Sequence, residues 1–260
     1  MLENKGYAAT LGSCSADPYL CGLGAQYASV VGWTGVSHPS EPNYLAVTTG
    51  GTQGCTSDTC FKTLTVPSLG GQLSAAGIPW TAYMESMPSA CFTGPWAPAG
   101  TSGTNALYGE KHDPFVVSGD VLNNGCASHV LPYPGVSSMV TTLGGADAPA
   151  FVFITPNQQD DMHSNTVQAG DAWLRANVAP VLASSWFTGG DATVIITMDE
   201  GPSGNAIPMV VISSNSKGQG NVTLAGNHYG TLRSIEEAFG LSLLAGAQTA
   251  GNGDVVRYFG

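Results

Sequence analysis

Positive charge is scarce in this sequence. Lys and Arg together number seven in 260 residues, against 18 Asp and Glu, for a formal net charge of −11. Nucleic-acid binding draws on clustered Lys and Arg that displace counterions from phosphates, and seven scattered bases exclude that class. Charged residues of both signs make up 10% of the chain, far below the ~25% usual in soluble domains. No apolar run approaches the ~20 residues of a membrane-spanning helix. Cys-x-x-Cys pairs are absent and no short Cys/His spacing has the pattern of a zinc site, which disfavours metal binding through sulfur. A secretory leader is missing as well: Met1-Leu2 runs straight into Glu3-Asn4, so an export signal is expected to lie outside these residues.

What is there suits a globular domain. Apolar residues reach 43%, ample for a core, and Gly (35) and Pro (16) are frequent without reaching the roughly 25–30% typical of disorder. No repeat or linker divides the sequence, so a single domain over 1–260 is expected, with a loop-rich insertion at about 86–134. The six cysteines, Cys14, Cys21, Cys55, Cys60, Cys91 and Cys126, allow 15 pairings. The most local set is Cys14–Cys21, Cys55–Cys60 and Cys91–Cys126; six free buried thiols are the alternative. Disulfides would imply an oxidising, secreted or extracytoplasmic location.

Short apolar runs bounded by turn residues, at 150–155, 192–197 and 208–213, lack alternation and read as strands buried on both faces, as in a parallel sheet. Helical spacing follows at 172–183, with Asp171 as its expected cap, and at 230–239, with Gly240 as its stop. Strands alternating with helices predict an α/β sandwich. Chemistry in such sheets collects beyond the carboxyl ends of the strands, and four polar clusters lie there or in the loops. Asp199-Glu200-Gly201 follows one apolar run, and two adjacent carboxylates there need a positive partner such as a metal ion. Asp160-Asp161-Met162-His163 follows another, and a loop histidine among acids suits acid/base work, phosphate binding or metal ligation. Ser37-His38-Pro39-Ser40-Glu41-Pro42-Asn43 places Ser40 where a turn becomes a helix, facing N–H groups that stabilise anions. Lys111-His112 pairs a rare cation with a histidine, a candidate anion site. The bland alternatives are an acidic surface turn, a solvated loop histidine, an ordinary Ser N-cap and a salt-bridged surface lysine.

The order and wording of these segments are specific. Glu3-Asn4-Lys5-Gly6-Tyr7, SHPSEPNYLAVTTG, KHDPF, ITPNQQDDMHSNTVQAGDAWL, ITMDEG and NHYGTLRSIEEAFGL follow one another in a way that resembles the bacterial secreted acid phosphatases and phosphatidylinositol-3-phosphatases of the phosphoesterase family. That family includes bacterial phospholipases C and belongs to the alkaline phosphatase superfamily. The resemblance implies a three-layer α/β sandwich with a mostly parallel central sheet. It also implies an apolar strand leading into the Glu-Asn motif; only Met1 and Leu2 precede it here, so the first central strand is expected to be truncated.

The resemblance also implies roles. Glu3, Asn4, Asp199 and Glu200 would hold a divalent metal, with Ser40 as nucleophile and the Asn43 amide as a donor to a phosphate oxygen. His112 and His163 would face the phosphate; Lys111, Asp161, His38 and His228 would line the substrate site. Oxygen ligands favour Mg²⁺, Ca²⁺ or Mn²⁺ over Zn²⁺. The expected reaction is hydrolysis of a phosphate monoester, from a phosphorylated small molecule or a phosphoinositide headgroup, through a phosphoserine. Protonated histidines and ionised carboxylates together predict a rate maximum on the acid side of neutrality. The competing readings are a phospholipase C or phosphodiesterase using the same site, and a secreted binding domain with an impaired site.

Overall fold

The computed structural model describes residues 1–202, 204–215 and 218–259. The strands are β1 (Ala28–Thr34), β2 (Trp80–Met84), β3 (Trp96–Ala97), β4 (Tyr108–Gly109), β5 (Val130–Pro132), β6 (Phe151–Thr155), β7 (Thr193–Thr197), β8 (Met209–Ser213) and β9 (Gly220–Asn227). The helices are α1 (Pro18–Gln26), α2 (Glu41–Thr49), α3 (Leu69–Ala75), α4 (Gly119–Leu122), α5 (Cys126–His129), α6 (Val136–Leu143), α7 (Val167–Ala183), α8 (Ser185–Thr188) and α9 (His228–Ala238). All three expected strands form within a residue of their apolar runs. The 86–134 stretch is less bare than its composition suggests, since it carries the β3–β4 ribbon, α4, α5 and β5.

Strands are ordered β7-β8-β1-β9 in one sheet and β5-β2-β6 in another. β1 pairs with β9, and β2 with both β5 and β6, in parallel; in these two sheets β8 runs antiparallel to both of its neighbours, β1 and β7. The fold is therefore α/β with a mostly parallel sheet, as expected, but the run at 208–213 is the exception. Burial on both faces fixes its apolar composition whichever way it runs, and all five β8 residues are buried. Its direction comes from the short connection after β7, which can close an antiparallel pair but not a parallel crossover.

Met1 and Leu2 lie between β6 and β7. The Met1 amine donates to Ile154 O at 2.7 Å; Leu2 N donates to Thr197 O, and Asp199 N to Leu2 O, both at 2.9 Å. This is the alternating pattern of a parallel ladder, with Leu2 bridged to Met198. Alongside these residues an apolar cavity of about 590 Å³ separates β6 from β7; Phe151, Phe153, Ile195 and Trp173 are among its lining. Met1 and Leu2 thus take a strand position between β6 and β7 and deliver Glu3 to the carboxyl end of the sheet.

Two helix starts differ from expectation. α7 begins at Val167, capped by Thr166, whose hydroxyl accepts from Ala169 N. Asp171 lies inside α7, and its carboxylate accepts from Tyr19 N and Leu20 N, so it caps α1 instead. α9 begins at His228, because the Asn227 side chain accepts from Tyr229 N; Gly240, at φ +65°, follows its end as expected. Gly226 permits β9 to pass Trp33, since a Cβ there would lie 2.1 Å from the indole.

All six cysteines are paired, as Cys14–Cys21, Cys55–Cys60 and Cys91–Cys126. The last spans 35 residues against 7 and 5 for the others, and cross-linking entropy grows with loop length. Native protein should yield no alkylatable thiol by intact-mass analysis. Replacing Cys91 and Cys126 together by Ser should lower unfolding free energy by about 4 kcal/mol, against about 2 kcal/mol for the Cys14–Cys21 pair; denaturant titration checks the order.

Candidate active site

Four segments end at one place. Met1 and Leu2 deliver Glu3 and Asn4, β7 leads into Asp199 and Glu200, β6 leads into the loop bearing Asp161 and His163, and the turn after β1 delivers Ser40 at the head of α2. Lys111 and His112 come from the loop after β4. This is the carboxyl-end position that open α/β sheets reserve for ligands.

Ser40 precedes α2 but makes no side-chain capping bond. Its hydroxyl instead donates to Glu3 Oε2 at 2.8 Å. Asn4 N donates to Asp199 Oδ1 at 2.9 Å, and the Asn4 amide lies 3.3 Å from Glu3 Oε2. His112 Nε2 stands 3.2 Å from Glu3 Oε1, and its Nδ1 stands 3.5 Å from Asp161 Oδ2; Tyr44 stacks on the His112 ring at 5.2 Å. The other Asp161 oxygen accepts from His163 N at 2.7 Å. Lys111 Nζ donates to Asp58 Oδ2 at 3.0 Å and lies 3.1 Å from His163 Nε2, which makes that nitrogen an acceptor and leaves Nδ1–H for Ser164 Oγ at 3.0 Å.

Glu3, Asp161 and Asp199 are fully buried. Burial first, and the neighbouring carboxylates next, hold Glu3 well above the usual carboxylate range. Burial likewise lifts Asp161 well above it. Asp199 rises to about 6 through burial, opposed by the Asn4 N–H. Burial and Asp199 lift Glu200 to about 7. Burial, then Lys111, lowers His112 well below its ordinary value and His163 to about 4. Both shifts favour the neutral imidazole near pH 7.

These carboxylates suit a cation. Glu3 Oε1, Asp161 Oδ2 and Asp199 Oδ2 are buried and receive no hydrogen bond among the described residues. Ligand atoms of Glu3, His112 and His163 all lie within 4.8 Å of one another. Buried acids without donors are costly unless a positive charge faces them.

Several expected site residues take other positions. Glu200 turns to the rim, where its Oε2 meets His38 Nδ1 at 2.5 Å; the His38 side chain is 54% exposed. Asn43 is fully buried and saturated: its Oδ1 accepts from Val36 N and Ser37 N, and its Nδ2 donates to Ser37 O and Pro39 O. It holds the turn that presents Ser40 and has no amide hydrogen left for a phosphate. His228 is also buried, with Nε2 2.5 Å from Asp199 O, and braces that backbone from behind. Sequence reasoning missed Asp58. The Cys55–Cys60 spacing marks a tight loop around it, but nothing local shows that its carboxylate reaches Lys111.

The comparisons with known proteins agree with this geometry. The profile of the Phosphoesterase family matches residues 14–242. Over 248 residues the chain is 32% identical to a phosphatidylinositol-3-phosphatase of Mycobacterium tuberculosis, covering 92% of this chain and 75% of that protein. An acid phosphatase of Aspergillus fumigatus is 29% identical over 94% of this chain and 54% of its own length, so the chain spans only about half of that fungal relative. Solved structures with the same fold include a Vibrio parahaemolyticus protein of the alkaline phosphatase superfamily, at TM-score 0.60 and 13% identity, covering 95% of this chain and 68% of that one. Another is the lipoteichoic acid synthase LtaP of Listeria monocytogenes, at TM-score 0.62 and 10% identity, covering 93% and 71%. With the motifs, the matched span and the converging carboxylates all in agreement, the chain belongs to the phosphoesterase family.

Proposed function

We propose that this chain is a metal-dependent phosphatase that hydrolyses phosphate monoesters through a phosphoserine on Ser40. The observation that carries the reading is the Ser40 hydroxyl, released from helix capping and donated to the buried Glu3 carboxylate in a chain whose relatives are named as phosphatases. Glu3 is placed to take the Ser40 proton as the Oγ–P bond forms and the P–O bond to the alcohol breaks, a nucleophile–base pair in hydrogen-bond contact. Water then attacks the phosphoserine, releasing phosphate and regenerating the hydroxyl. Lys111 supplies the buried positive charge toward the phosphoryl oxygens. Neutral His163 and His112 hold Lys111 and Glu3 in place and can exchange protons with the leaving oxygen or the water.

Glu3 and Asp199, with Asn4 beside them, would hold the divalent cation, and Glu200 would leave His38 at the rim to join them. When bound, it would polarise the phosphoryl group and lower the Ser40 pKa. The oxygen-rich set favours Mg²⁺, Ca²⁺ or Mn²⁺, with the two histidine nitrogens near enough to make zinc the competitor that metal analysis should exclude. The substrate class proposed is the phosphorylated small molecule or phosphoinositide headgroup, the latter because the mycobacterial relative is named for it. Three disulfides favour an extracytoplasmic location.

Ser40→Ala should cut turnover of an aryl phosphate by roughly 10³-fold or more while leaving the thermal midpoint near that of the unmodified chain; a folded variant with most of its turnover overturns the nucleophile.

The metal prediction follows from the raised carboxyl values. Protons compete with the cation at Asp199, at about 6, and at Glu200, at about 7. Cation affinity should therefore fall as pH drops from about 8 to about 5, by at least about tenfold, and calorimetry should detect proton release on binding. Asp199→Asn should lose bound metal and activity together; unchanged metal content by mass spectrometry removes Asp199 from the ligand set.

A further inference from the structure

One acid at this site has no part in the chemistry above. Asp58 sits at the tip of the loop closed by Cys55–Cys60, and its two oxygens are spent on two different donors. Oδ1 accepts from Glu41 N at 3.1 Å, and Oδ2 accepts from Lys111 Nζ at 3.0 Å. Glu41 N is the first N–H of α2 and belongs to the residue directly after Ser40. Lys111, only 3% exposed, is the cation buried beside His163. These two donors are the ones that an anion brought to the Ser40 hydroxyl would use: a helix N-terminal amide and an ammonium group.

The loop is locked there. Cys60 N donates to Glu41 Oε2 at 2.9 Å while Asp58 accepts from Glu41 N, a reciprocal pair that ties the loop to the head of α2. Asp58 is also on the open side, its side chain 30% exposed, whereas Ser40 behind it is 2% exposed. A carboxylate is a planar anion whose two oxygens are spaced much like two phosphoryl oxygens. In this structure it occupies the donors that the reaction needs free.

We propose that Asp58 is an internal stand-in for the phosphoryl group, displaced by substrate, and that it selects dianionic phosphate monoesters against monoanionic diesters. The inference rests on the reading of Ser40 as the attacked position. To reach Ser40, a ligand must take the Glu41 amide and the Lys111 ammonium away from a carboxylate. A terminal phosphoryl group, with two charges and three free oxygens, repays both lost bonds. A diester, with one charge and two free oxygens, exchanges one carboxylate for an equivalent anion and gains little. Asp58 is thus a specificity residue acting through competition.

The test compares unmodified protein, Asp58→Ala and Asp58→Asn, with inorganic phosphate as the probe, by calorimetry in the presence of Mg²⁺. Hydrolysis of p-nitrophenyl phosphate and bis-p-nitrophenyl phosphate is measured in parallel. Loss of a competing charge-assisted contact should tighten phosphate binding roughly tenfold in Asp58→Ala, with a smaller gain in Asp58→Asn, which keeps an oxygen for Glu41 N–H. KM for the monoester should fall, and the monoester-to-diester ratio of kcat/KM should shrink. If Asp58→Ala fails to fold, Asp58→Asn carries the test. Unchanged or weaker phosphate binding in a folded variant overturns the proposal and leaves Asp58 as a structural cap of α2; absence of phosphate binding in every form overturns it too. Unmodified protein that binds phosphate yet cleaves neither ester refutes the phosphatase reading instead, and the binding comparison then still decides the role of Asp58.

Discussion

Three carboxylates that ought to repel one another are buried together, one of them bonded to the Ser40 hydroxyl, and the local structure follows from that constraint. Glu3, Asp161 and Asp199 arrive from separate segments and share a site whose standing buried side-chain cation is Lys111. Each response to this imbalance is visible. The acids rise toward protonation, the Ser40 hydroxyl and the Asn4 amide supply donors, and the two histidines stay neutral. A site so arranged stores unmet demand for positive charge, which a divalent cation can satisfy. The same cluster draws the Ser40 hydroxyl onto Glu3.

The scaffolding serves this cluster through backbone rather than side-chain contacts. Asn43 saturates its amide to shape the turn before α2, and His228 presses on the Asp199 carbonyl. Both stand in the motifs that mark the family; one holds the turn that presents Ser40 and the other the backbone at Asp199. Nine consecutive buried residues in α2 give the head of that helix a rigid seat. On the other flank, Glu3 depends on two residues of strand between β6 and β7.

Loops bring the remaining charged groups to the site, and disulfides fix them. The Cys55–Cys60 loop brings Asp58 over the head of α2, while Cys91–Cys126 ties the stretch from which Lys111 and His112 enter. A chain with so few charges has little means of ordering such loops by ion pairs. Covalent links and buried polar bonds take that role, and they place the few charges present where they act on one another.

The sequence by itself determined the α/β class, the three apolar strands and the family, and it offered the most local cysteine pairing without deciding it, because burial period, turn residues and ordered motifs are local signals. It also marked Ser40, Asp199, Glu200, Lys111, His112 and His163 as residues worth watching, since each interrupts an apolar or turn pattern with chemistry. Only the tertiary structure decided what these residues face. β8 runs against its neighbours, Asp171 caps α1 rather than α7, Glu200 turns to His38, and Asp58 claims the Glu41 amide. The neutral state of His112 and His163 is likewise a property of their burial beside Lys111. Partners distant in the chain are set by how strands and loops converge, and no local pattern encodes the desolvation or the neighbouring charge that a side chain meets on arrival.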